Sequence, residues 1–91
     1  MGPPVKVYLA FFKGEIKIEI HVINGEGYYS AVMIPIASGD KSLMSHFQNE
    51  NRNRQEVGKT IEEAVACCEA WIKKHLCEDV QIRESRTLAP V

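Results

Sequence analysis

The chain has 91 residues, and none of its apolar runs approaches the roughly 18–20 residues that a membrane-spanning helix needs. A transmembrane segment is therefore not expected. It also has no excess of one charge: 11 Lys and Arg against 12 Asp and Glu leave a formal charge of −1. That balance removes the global attraction on which nonspecific nucleic-acid binders rely. Cysteine is scarce and badly placed for chemistry. There are three, an odd number, and Cys67 and Cys68 are adjacent in a segment that reads as helix. Helix geometry splays neighbouring side chains by about 100°, which rules out a bond between them. No pair has C-x-x-C spacing, so neither a disulfide framework, a zinc site nor a redox pair is indicated. The three histidines, His21, His46 and His75, fall in separate elements without an H-x-x-x-H or H-x-E pattern. A charged n-region followed by an apolar h-region is missing from the N-terminus, and the expected location is the cytoplasm.

What is present is the pattern of a small globular domain. Apolar residues make up 45% and charged residues 25%, values that exclude disorder and fibrous classes. Ninety-one residues leave room for one modest core, so the expectation is a single domain over 1–91 with a flexible tail at 85–91. From Glu15 to Val22, EIKIEIHV alternates strictly, which puts Ile16, Ile18, Ile20 and Val22 on one face of a half-buried strand. The preceding VKVYLAFF, Val5 to Phe12, is apolar on both faces, and Lys13-Gly14 supplies a tight hairpin turn between the two. A second turn at Asn24 to Gly27 leads to a third strand, Tyr28 to Ile36, where Pro35 marks an edge or an end. The signal fades between Ala37 and Lys59. LMSHF reads as a short fourth strand and QNENRNRQE, residues 48 to 56, as a solvated loop or a long exposed hairpin.

The segment GKTIEEAVACCEAWIKKHL carries the clearest local signals. Thr60 followed three residues later by Glu63 is a capping box, with acidic residues at the positive end of the helix dipole and Lys73, Lys74 and His75 at the negative end. Ile61, Ala64, Val65, Cys68, Trp71, Ile72, His75 and Leu76 recur at spacings of three and four, which draws one apolar stripe. Ile61, Val65, Cys68, Trp71 and Ile72 are the expected core of the helix, with Trp71 its largest piece. VQIR, Val80 to Arg83, alternates again as a short final strand. The expected fold class is α+β: an antiparallel sheet of three to five strands packed on one long C-terminal helix, in the order β-β-β-(β)-α-(β).

No catalytic residue, cofactor site or metal site emerges from this pattern. A strand-rich sheet with a late helix is a layout that RNA-binding domains share, but here the first helical turn carries Glu62 and Glu63, which would repel phosphate. Arg52 and Arg54 have acidic neighbours and no aromatic interleaved for base stacking, so nucleic acid is not the expected partner. A first strand apolar on both faces points instead to a face that needs shelter from a partner. The candidate interface residues are Tyr8, Phe11, Phe12, Tyr28 and Tyr29, and the expected partner is a second copy of the chain or another protein. A small-molecule pocket between helix and sheet is the other expectation. Ile34-Pro35 at the strand end and Gly58-Lys59-Thr60-Ile61-Glu62-Glu63-Ala64 at the helix start resemble the HicB-like antitoxin family over roughly Ile16 to Leu76. That resemblance implies a partial RNase H-like fold of three strands and a helix, and a noncatalytic dimer that masks a small toxin. The link from Pro35 to Gly58 is longer than in that family.

Overall fold

The computed structural model describes residues 4–36 and 54–87. They form β1 (Lys6–Phe12), β2 (Glu15–Asn24), β3 (Tyr29–Pro35), β4 (Arg54–Gly58), α1 (Ile61–His75) and β5 (Gln81–Thr87). The strands make one antiparallel sheet in the order β4-β3-β2-β1-β5. The α+β architecture with one helix packed on the sheet is thus the expected one. The helix is 15 residues long and is followed by a strand, so it does not close the chain.

Local chemistry accounts for most of these boundaries. Lys13 and Gly14 both have positive φ, 52° and 85°, as a two-residue turn between right-twisted strands requires. Pro35 ends β3, which lies inside the sheet and could not spare another ladder donor. The capping box is formed: the Glu63 N–H donates to Thr60 Oγ1 at 3.1 Å, and the Thr60 N–H donates to Glu63 Oε2 at 3.2 Å. At the other end the Leu76 and Cys77 N–H groups both donate to the Ile72 carbonyl.

One face of the sheet carries the core. Ile18, Ile20 and Val22 of β2 pair across to Ala10, Tyr8 and Lys6 of β1 and to Pro35, Met33 and Ala31 of β3. The helix sets Ala64, Cys68 and Ile72 onto this layer, and all three are fully buried, as are Ala10, Ile18, Ile20, Val22, Ala31 and Met33. Its main contacts are with β4 and β3, with fewer to β2. Beyond the helix, Val80 closes the core. Among the described residues no helix is long and apolar enough to cross a membrane.

Four expectations are corrected. Of the stretch 48–56 read as loop, residues 54–56 belong instead with Val57 and Gly58 to the edge strand β4, held by pairing with β3 from Met33↔Arg54 to Tyr29↔Gly58. The final strand runs on to Thr87, so 85–87 are not tail; their register against β1, from Phe11↔Gln81 to Lys6↔Thr87, holds them. Ile16 is 40% exposed rather than buried, because the β1–β2 ladder shifts between Ala10 and Phe11 and sets Ile16 opposite Phe11. Trp71 is half-buried against the core, whose largest fully buried members are Ile18, Ile20, Met33 and Ile72. The expectations for LMSHF and Arg52 lie outside the described residues.

The packing makes two quantitative expectations. Ile72→Ala, which empties the centre of the helix–sheet contact, should lower unfolding free energy by about 2–5 kcal/mol in urea titration. Gly58 has no room for a side chain: a Cβ there would stand 2.5 Å from the Ala64 backbone nitrogen. Gly58→Ala should therefore cost about 1–3 kcal/mol by the same measurement, through forced separation of β4 from the helix start.

Candidate functional site

Cross-strand partners share a face, so the residues opposite the core can be read from the register. Val7 pairs with His21, and His21 with Val32; Leu9 pairs with Glu19, and Glu19 with Ile34. Further out, Val32 pairs with Gln55 and Ser30 with Val57, while Leu9 pairs with Arg83 and Phe11 with Gln81. These residues line the face that the helix does not touch. Val7, Leu9, Phe11, Val32 and Ile34 are each half-buried within it, and Val57 is 51% exposed. Among the described residues this face stays open, with apolar side chains on β1, β3 and β4 and a polar pair on the central strand.

That pair is well formed. His21 Nε2 lies 2.7 Å from Glu19 Oε1, two residues away on the same face of β2. On β5 the Arg83 guanidinium sits 5.9 Å above the Phe11 ring, and its Nη2 donates to Gln81 Oε1 at 3.4 Å. Toward the β2–β3 turn the face deepens into a groove of about 550 Å³ lined by Ile23, Asn24, Tyr28, Ser30, Gln55 and Val57, none of them charged. Its floor holds a hydrogen bond from Ser30 Oγ to Gln55 Oε1 at 3.1 Å. Gly25 permits the wall: a Cβ there would stand 2.5 Å from the Tyr28 ring.

The structure divides the five candidate interface residues. Phe11 lies on the open face and Tyr28, 44% exposed, stands over the groove at its end. Tyr8, Phe12 and Tyr29 instead pack against the core cluster from the helix side. Where β1 and β5 extend past the helix, that side turns polar: Lys6 Nζ is 2.7 Å from Glu84 Oε1 and lies over the Tyr8 ring. The Glu84 hydrogen bond raises the Lys6 pKa above the ordinary lysine value. Sequence reasoning missed β4, and with it Gln55 and Val57, because a five-residue strand beside a polar run has too few positions for a period to show.

The expected helix core sits as its spacing suggests. Cys68 and Ile72 are fully buried, and Ile61, Val65 and Trp71 flank them. Arg54, which reads as loop, lies on the helix side of β4 with its guanidinium 4.7 Å over the Trp71 ring; that ring is in turn 5.0 Å from His75. Cys67 is exposed and Cys77 half-buried. Apart from the Cys68 thiol, no polar or charged side chain among the described residues is buried. Nor does any group of three His, Cys, Asp or Glu among them stand close enough together to hold a metal ion.

Burial pushes the Cys68 thiol up to about 12 from 9.0, while its Sγ donates to the Ala31 carbonyl at 3.6 Å. A folded-state pKa above the unfolded one means that the native chain holds its proton longer, so this group lowers stability as pH rises from about 9 toward 12. Ellman titration of the native protein at pH 8 should modify Cys67 readily and leave Cys68 unmodified until denaturant is added; rapid native modification of Cys68 would contradict the packing. Comparison with protein-family models, with curated proteins and with solved structures finds no match to this chain.

Proposed function

We propose that this chain is a noncatalytic protein-interaction module that works as a homodimer through the open face of its sheet. The observation that carries this reading is the asymmetry of cover. One helix shelters one face, while Val7, Leu9, Phe11, Val32 and Ile34 keep apolar surface on the other. Scattered apolar residues are ordinary on a protein surface, but here β1 carries a row of three and β3 a row of two, at matched register on either side of the Glu19–His21 pair, and apolar surface concentrated in this way is a mark of partner sites. Flat sheet faces of this kind pack face to face at about 10 Å, with side chains interdigitating. The antitoxin-like role that the sequence resemblance implies would use the same surface against a small protein partner.

A second reading has its own observation. The groove beneath Tyr28 is uncharged, partly apolar and has Asn24, Ser30 and Gln55 to orient a ligand, which suits a small neutral molecule. It lies at the end of the open face and not between helix and sheet. A ligand of that kind would raise the melting temperature of the wild type and not of Tyr28→Ala.

Light scattering behind size exclusion, over a range of protein concentrations, tests the main reading. The expected result is a species near twice 10.3 kDa that dissociates on dilution. A monomer at every concentration would sink the homodimer and turn attention to the groove.

A further inference from the structure

We infer that a second copy of this chain seats on the β2-β1-β5 part of the open face, related by a two-fold axis running parallel to β1. This rests on the homodimeric reading above and adds the place and orientation of the partner. The argument lies in the row through Leu9. On one side Leu9 pairs with Glu19 of β2, and on the other with Arg83 of β5. An acid and a base therefore flank the same apolar residue at the same height, one strand away in opposite directions.

A two-fold along β1 exchanges those flanks. Glu19 of each copy then meets Arg83 of the other, and Val7, Leu9 and Phe11 meet their own counterparts at the centre. Such an isologous contact brings each patch against itself, so a patch with opposite charges placed symmetrically about its apolar midline is self-complementary. The two long side chains together bridge the roughly 10 Å between packed sheets. A two-fold across the strands would set β5 over β5, and among the described residues β5 offers Arg83 no carboxylate on this face, since Glu84 pairs with Tyr8 on the helix side. A partner of one charge sign fits less well. Besides Glu19 and Arg83, Arg86 stands opposite Val7 in the register and Lys13 and Asp79 lie beside Phe11, so the face is a mixture of both signs and not the single-sign field that a nucleic acid or a strongly acidic surface would seek.

The existing contacts keep both groups in place. Glu19 is held by His21 at 2.7 Å and Arg83 by Gln81 and the Phe11 ring, so little side-chain freedom is lost when they pair across the interface.

The test is a charge exchange on the full chain, read by sedimentation equilibrium. Arg83→Glu and Glu19→Lys should each weaken self-association by about tenfold or more, because each replaces two attractive pairs by two repulsive ones. An equimolar mixture of the two variants should regain association, since each copy then carries the charge the other lacks. Circular dichroism melts establish that both variants are folded. Should Glu19→Lys fail to fold, Glu19→Gln, Arg83→Gln and their combination form a double-mutant cycle on the dimer; coupled effects support the pairing and additive ones overturn it. A wild-type dimer whose dissociation constant moves less than about twofold on either reversal overturns this placement while the homodimer stands. Weakening without recovery in the mixture overturns it too. A wild type that is monomeric throughout removes the homodimer and the placement together.

Discussion

A helix of 15 residues is about 22 Å long and 10–12 Å across, whereas five strands spaced about 4.8 Å apart make a sheet some 19 Å wide. One such helix can shelter two or three strands on one face and nothing on the other. The rest of the molecule follows from that mismatch. The core gathers where the helix lies, over β4, β3 and β2, and is closed beyond it by Val80. The helix side of β1 and β5 past the helix margin becomes polar, with Lys6 and Glu84 paired in the open. Among the described residues, none covers the far face.

Contact between helix and sheet is close because small residues stand where the layers meet. Ala31 and Ala64 are fully buried, and the Cys68 thiol approaches the Ala31 carbonyl as a weak donor. Gly58 lets the edge strand run against the first turn of the helix, where a methyl group would collide with backbone. The capping box then starts the helix at that contact. A chain this short gains its stability from one such layer, so each of these atoms matters more than it would in a larger domain.

On the open face the same shortage of cover produces a surface that is neither a core nor an ordinary exterior. Its apolar residues on β1 and β3 stay half-buried among their neighbours, with Glu19 held by His21 and Arg83 by Gln81 and the Phe11 ring. Groups already ordered in this way lose less freedom on meeting a partner, as the proposed dimer requires. The neutral groove near Tyr28 lies at its margin, away from β1 and β5.

The sequence by itself determined the parts whose signals are local. Strict alternation in EIKIEIHV placed β2, and Thr60 with Glu63 placed the helix start. Spacings of three and four drew the apolar stripe from Ile61 to Leu76 that turns to the sheet, of which Ala64, Cys68 and Ile72 are fully buried. These are legible because hydrogen-bond closure and side-chain periodicity act within a few residues. Tertiary structure alone decided the strand order, the pairing of β4 and the full length of β5, and the exposure of Ile16 through a register shift. It also decided which apolar face of β1 would be covered, and it brought Glu19 and Arg83, 64 positions apart, to either side of Leu9. Strand pairing is a bond between distant segments, and a short or polar strand acquires its identity only from the neighbour that completes its hydrogen bonds.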